Sequence, residues 1–374
     1  MTTGALLDAL IEIAGISKSE FATDTFITPS SLSLILSGKR LPGLKDKEVF
    51  CKRSASVLTE HIYKANCFPK FKQIFPVIYD FNSQHELETF LQLALEYFID
   101  LDQALANDQD LDYPDHGKLF LGDMRILNYF CVTLSDYFQR QPETDLVVFS
   151  SLPIFSHDYP PFLRRMRFAG NNGDSHVKLH QAIFPLENDS DQLVSRPVDT
   201  IFKIQDFCDL NFWQAEASLK KNYVLLKDHV LIFFDQLLDQ SWSMTVLEHK
   251  NHVNHLYEEI KTRLTKQMSF NRQQFQQQRE QGKNCFKELL EQKISRVFNF
   301  VPIAYMVNDK ELAKIEDSAE ERRIILAFFE KILSEDTRIY FSDLCFRTIA
   351  DEGKLAVPLH GLVELPPSDR IPYL

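Results

Sequence analysis

The stretch Ile16–Pro42, ISKSEFATDTFITPSSLSLILSGKRLP, constrains this chain most, because almost every position in it carries a local structural instruction. Ser17 with Glu20 three residues later is a capping box. The hydroxyl accepts the N–H of the third helical residue, and the carboxylate returns to the N–H of the cap. A short helix therefore follows Ser17, with Phe21 and Ala22 inward. Ile27 is an apolar plug at a turn. Thr28 caps a second helix with Pro29 at its first position, where a missing N–H costs nothing. Leu32 and Ile35 are three apart and share an inward face. That sets Pro29, Ser30, Ser31, Ser33 and Leu34 toward the outer side. Gly38 stops the helix, and Lys39-Arg40 add positive charge directly after it.

Taken together, Ser17-Lys18, Phe21-Ala22, Ile27-Thr28, Ser31-Leu32-Ser33 and Ser37-Gly38-Lys39-Arg40 with Pro42 give a stretch that resembles the lambda-repressor/Cro-like (Xre-type) helix-turn-helix family of transcriptional regulators. The resemblance implies that the second helix enters the major groove and presents its N-terminal residues to base edges. Pro29, Ser30, Ser33 and Leu34 would then face bases. Lys18, Thr28, Lys39 and Arg40 would meet phosphate. The chain departs from the family pattern at Phe26, where glycine is usual, and at Thr25, where a large aliphatic is usual. It also has Pro-Ser-Ser where Gln or Arg often opens the reading helix. Short hydroxyls make single contacts, not bidentate ones. Selectivity is therefore expected to rest on DNA shape and on Leu34 against a thymine methyl. The competing reading is a plain helical hairpin with a capping box and a glycine stop.

Charge confines any nucleic-acid contact to this end. The chain of 374 residues has a net charge of −12, whereas residues 1–66 carry eight Lys/Arg against seven Asp/Glu. An acidic body repels phosphate. The six cysteines, at 51, 67, 131, 208, 285 and 345, show no paired spacing, so buried reduced thiols are expected instead of a zinc or redox motif. No signal-peptide pattern and no membrane-length apolar run is seen, and a soluble, cytoplasmic protein is expected.

Along the chain, Leu6, Leu7, Leu10, Ile11 and Ala14 form a helical stripe ahead of the hairpin. Residues 46–65 read as a further helix, residues 68–106 as helical and aromatic-rich, and residues 119–138 as helical again. The acidic loop 107–117 begins like a calcium loop at Asp108, Asp110 and Asp112. Tyr113 at its sixth position and Leu119 at its twelfth break the EF-hand pattern. Strands are expected at 145–152, 177–184, 200–205, 300–307 and 337–346, with 243–247 open between strand and helix. A hairpin over 223–234 should turn at Lys227-Asp228-His229. A long helical region is expected over 247–298, a helix over 317–333 and an extended Pro-rich end. The fold class is thus an α-helical N-terminal helix-turn-helix module followed by a mixed α/β or α+β body. The divisions are residues 1–66 for DNA binding, 67–140 as a helical connector or dimerisation region, and 141–374 as an effector or interaction domain.

Three clusters in the body carry competing readings. His249, His252 and His255 recur at steps of three, as metal ligands on a helix can. The stripe Val246, His249, Val253, Leu256, Ile260 makes a partly buried seam the alternative. His176, Lys178 and His180 alternate on one strand face. His176-Val-Lys178 shares the His-x-Lys of phospholipase-D-like enzymes, but Ala182 stands where their Asp would be and no second copy follows. The remaining alternatives there are an anion-binding face and a solvated strand. Arg164, Arg165 and Arg167 either bind a phosphate-bearing ligand or pair with carboxylates. No phosphate loop, nucleophile elbow or dinucleotide fingerprint is present. The expectation is a non-enzymatic, dimeric, sequence-specific DNA-binding regulator of Xre type. It would partner double-stranded DNA and a small-molecule or peptide effector, with no membrane, metal or cofactor. An enzyme-derived, phosphodiesterase-like body and a protein-interaction scaffold fused to the DNA-binding module are the alternatives.

Overall fold

The computed structural model describes residues 1–43, 46–64, 68–106, 117–139, 146–154, 159–168, 177–184, 204, 207–267, 280–282, 284–294, 296–299, 301–334, 337–341, 343–358 and 360–371. The chain falls into two compact units, Met1–Ser190 with Lys203–Met268, and Asp191–Phe202 with Ser269–Leu374. Both mix helix and sheet. His176, most of the acidic loop, nearly all of 200–205, Cys67 and the side chain of Cys285 lie outside the described residues.

The first unit opens with α1 (Thr3–Ala14), α2 (Lys18–Asp24), α3 (Pro29–Leu36) and α4 (Lys47–Lys64). The foreseen α1 stripe of Leu6, Leu7, Leu10, Ile11 and Ala14 is buried. Next come α5 (Phe68–Ile74), β1 (Val77–Tyr79), α6 (Gln84–Ala106), β2 (Lys118–Leu121) and α7 (Asp123–Gln139). The helical reading of 68–106 is corrected by β1. Pro76 has no N–H to continue α5 and biases its neighbour toward extended backbone. The helical reading of 119–138 is corrected at its start. β2 pairs with a later strand, and Gly122, at φ 88°, makes the turn into α7.

The N-terminal helices share a core with α6, against which α4 packs. Lys47 Nζ lies 2.6 Å from the Asp100 carboxylate, and the Thr3 N–H donates to Asp102 at 2.7 Å.

The rest of this unit contributes β3 (Leu146–Ser150), β4 (Met166–Phe168), β5 (Val177–Ile183), β6 (Asp209–Ala215), β7 (Tyr223–Leu226), β8 (Val230–Gln236), β9 (Trp242–Leu247), α8 (Lys250–Arg263) and β10 (Leu264–Gln267). β1 pairs with β4. An eight-stranded mixed sheet runs β10-β6-β5-β3-β7-β8-β9-β2, with β3/β5 and β5/β6 parallel. All four residues of β7 are buried, so it reads as a continuous apolar run. On one face Phe149, Tyr223, Leu225 and Leu231 pack with Val253 and Ile260 of α8. On the other, Phe234 meets Phe130 of α7 edge-on, with centroids 5.3 Å apart.

The hairpin turns where the sequence expects. Asp228 takes a left-handed φ of 61°, and its N–H donates to Asn254 Oδ1 at 3.1 Å. The helix expected over 247–298 is corrected: α8 ends at Arg263, and the chain pairs as β10 along the edge of β6. An uncovered strand edge offers backbone groups that need partners.

The second unit holds α9 (Cys285–Leu290), β11 (Arg296–Asn299), α10 (Asp309–Leu312), α11 (Ala319–Ser334), β12 (Arg338–Phe341), α12 (Asp343–Glu352), β13 (Lys354–Val357) and β14 (Gly361–Glu364). β11 and β12 pair parallel, and β13 and β14 form a hairpin. Phe286, Ala304, Leu312, Ile325, Phe329 and Leu355 centre its core. The strand expected over 300–307 reduces to one bridge, Ile303 to Ala356, beside Pro302, which cannot donate to a ladder. The strand expected over 337–346 ends at Phe341, and α12 follows. No helix among the described residues is long and apolar enough to cross a membrane.

Candidate nucleic-acid interface

The local instructions in residues 16–42 are carried out. Ser17 Oγ accepts the Glu20 N–H at 3.1 Å and Glu20 Oε2 accepts the Ser17 N–H at 3.4 Å. Thr28 Oγ1 accepts the Ser31 N–H at 3.2 Å, with Pro29 at the first helical position. Gly38 has a left-handed φ of 68° just beyond the end of α3. Leu32 and Ile35 are buried, while Pro29, Ser30, Ser33 and Leu34 are exposed.

The two unusual turn residues have separate physical explanations. Phe26 adopts φ 59°, the left-handed conformation that glycine enters most easily, and the residue is 79 % exposed. The guanidinium of Arg53 on α4 lies 5.0 Å from that ring's centroid, a cation–π contact that partly offsets the backbone cost. Thr25 is buried, and its hydroxyl donates to the Phe21 carbonyl at 2.6 Å. Thr25 thus satisfies its buried hydroxyl on backbone carbonyls of α2.

The charged members of the expected set differ in availability. Lys39 and Arg40 are exposed and form no ion pair among the described residues. Lys18 is already engaged, with Nζ 2.7 Å from Asp8 Oδ1. A phosphate would have to compete with that carboxylate. Thr28 is exposed but its hydroxyl serves as the cap. Sequence reasoning missed Arg53, which lies far along the chain from the turn it reaches. It also missed that the capping-box residue Glu20 stands with Asp24 and His61, their ligand atoms within 4.8 Å of one another.

The other flagged clusters resolve into packing. Arg165 donates twice to Glu86, at 3.2 and 2.7 Å, and stands 4.8 Å from the centre of the Tyr79 ring. Arg167 pairs with Asp80 at 3.0 Å, and Arg164 lies 6.0 Å from the Tyr159 ring centroid. The pairing alternative thus fits this cluster. The Arg165 guanidinium holds the Glu86 carboxyl below its ordinary range. A depressed carboxyl stabilises the fold above its unfolded pKa of about 4.3, and that contribution is lost as pH falls further. Arg165→Met is therefore expected to cost about 2 kcal/mol near neutral pH. The gap to the parent should narrow below about pH 4, read from urea unfolding at a series of pH values.

His180 Nδ1 accepts the Trp213 indole N–H at 2.9 Å, and burial pushes its pKa down. His249 sits at the N-cap of α8, accepting the His252 N–H at 3.3 Å, while Val246 belongs to β9. The single helical seam expected there is corrected accordingly. His255 is mostly exposed, 3.6 Å from Glu259. Cys51, Cys131, Cys208 and Cys345 are buried free thiols, with Cys51 and Cys208 pushed up to about 12 by burial. No family model, curated protein or solved structure matches this chain.

Proposed function

We propose that this chain is a sequence-specific DNA-binding transcriptional regulator of Xre-like type, cytoplasmic and homodimeric, that reads its operator through α3. The observation that carries the reading is the outer face of α3. Pro29, Ser30, Ser33 and Leu34 stand exposed there, and the exposed cations Lys39 and Arg40, which form no ion pair among the described residues, follow the helix directly. Such a surface offers short hydroxyls to base edges and flexible cations to the backbone. One module of this kind binds weakly. Two modules joined in a dimer gain through effective concentration, on half-sites one helical turn apart.

The test is retention of genomic DNA fragments, including the region upstream of the gene, by the full-length protein. The parent should retain one fragment specifically. Ser30→Ala/Ser33→Ala should lose that preference, at about 1 kcal/mol per contact, with non-specific retention unchanged. Stability should move by less than about 0.5 kcal/mol, since the bond that caps α3 runs from the Ser31 N–H to Thr28. Absence of any retention at low salt, where phosphate attraction is strongest, would overturn the reading.

A further inference from the structure

On α2, Glu20 and Asp24 are four residues apart and share one face. His61 reaches them from the end of α4, which packs against α2. One imidazole nitrogen and one oxygen from each carboxylate lie within 4.8 Å of one another. Glu20 and Asp24 are exposed, and His61 is half-buried. Among the described residues, Asp24 and His61 form no hydrogen bond or ion pair. Glu20 gives its cap one oxygen, which accepts the Ser17 N–H at 3.4 Å. An ionised carboxylate has two oxygens and about four lone-pair sites, so acceptor capacity remains.

The donor types decide which ligand fits. Two like charges at this helical spacing repel each other. Lys18 of α2 is held by Asp8 and Arg53 of α4 stands over Phe26, and neither pairs with these carboxylates. An imidazole beside two carboxylates is a mixed nitrogen and oxygen donor set. It suits a first-row divalent transition ion such as Zn²⁺, with bonds of about 2.0–2.2 Å. Ca²⁺ takes six to eight oxygens and Mg²⁺ keeps most of its water, so both are disfavoured. Bonds of that length set the ligands of a tetrahedral ion about 3.4 Å apart. The set closes to that spacing by about 1 Å of side-chain rotation, which the exposed carboxylates allow. Water would complete the coordination.

We infer that Glu20, Asp24 and His61 bind a divalent transition-metal ion of the Zn²⁺ kind, and that the ion clamps α2 to α4 and makes operator binding metal-dependent. The metal dependence rests on the DNA-binding reading, whereas the binding itself does not. The link to α3 is short. Asp24 ends α2, and the Thr25-Phe26 turn leads from it toward α3. Arg53 of α4 already reaches the Phe26 ring in that turn. Fixing α2 against α4 therefore fixes the approach to the reading helix.

The test is calorimetric titration of the chelator-stripped full-length protein with ZnCl₂ and with MgCl₂. Zn²⁺ should bind in the micromolar range, and Mg²⁺ at least about a hundredfold more weakly. His61→Ala and Asp24→Asn should each weaken the tightest zinc event at least about tenfold. Asp24→Asn changes an exposed side chain, so it stays decisive even where His61→Ala disturbs α4. Glu20→Gln keeps the cap, since its amide oxygen still accepts the Ser17 N–H, and should weaken zinc several-fold. His249→Ala/His252→Ala should leave the event unchanged. Zinc should slow hydrogen exchange of the α2 amides several-fold in the parent and not in His61→Ala. Absence of zinc binding at about 100 μM, equal binding of Mg²⁺, zinc affinity unchanged in His61→Ala and Asp24→Asn, or its loss in His249→Ala/His252→Ala would overturn the site. Zinc bound there with α2 exchange unchanged would overturn the clamp. Zinc should also tighten retention of the operator fragment several-fold. Unchanged or weakened retention would overturn the metal dependence while sparing the site. If no fragment is retained with or without zinc, the DNA-binding reading and the metal dependence fall together, and the calorimetry still decides the site.

Discussion

Gly4→Ala is expected to destabilise the first unit by about 2 kcal/mol, although helix propensity alone argues the opposite. Gly4 lies in the first turn of α1. A methyl there would stand 2.4 Å from the Leu36 carbonyl oxygen and 2.7 Å from that of Ile35. Both obstacles are backbone at the last turn of α3 and cannot rotate away. In a free helix, exchanging glycine for alanine gains up to about 1 kcal/mol. Here one of the two helices must shift, and overpacking of this kind costs about 1–3 kcal/mol. The close approach should win. Urea unfolding of the full-length protein measures it, and a rise in stability would show that the contact is loose. On the proposed function, the variant should also weaken operator binding, since α3 is displaced without any change to its outer face.

The second large effect is expected in DNA affinity. Lys39→Ala/Arg40→Ala should reduce retention of every fragment by a similar factor, roughly thirtyfold at low salt for each module, with two contacts of about 1 kcal/mol each, and on the order of a thousandfold for a dimer with both modules engaged. The dependence of log affinity on log salt should become shallower by about 2 for each module engaged, and so by about 4 for the dimer, because each neutralised phosphate contributes about 0.9. Preference for the operator over other fragments should persist, since phosphate contacts position the protein and base contacts specify the site. Both side chains are exposed beyond the end of α3, so stability should stay within about 0.5 kcal/mol. An unchanged salt slope would remove these two residues from the interface. Loss of operator preference would assign them to base reading.

What the sequence determined by itself was whatever depends on neighbours in the chain. The capping box at Ser17, the Thr28-Pro29 helix start, the Gly38 stop and the Leu32/Ile35 inner face are set by hydrogen bonds and side-chain directions within one or two turns. They stand in the structure where the pattern puts them. The Lys227–His229 turn was legible for the same reason: two apolar runs flank residues that tolerate a left-handed backbone.

Only the tertiary structure decided the rest. β10 is a strand because β6 offers it an edge, although the residues around it read as helix. Val301–Val307 is largely irregular because, among the described residues, a bridge partner reaches it only at Ile303. Lys18 is tied to Asp8, ten residues earlier, and Arg53 reaches Phe26 from another helix. The Tyr97, Asp136 and His229 cluster was invisible to spacing, since its members come from α6, α7 and a hairpin turn. Gly4 looked like an ordinary weak helix former until α3 was seen against it. Local bonding energies are written in adjacent residues, whereas strand edges, buried charges and close backbone approaches exist only once distant segments have met.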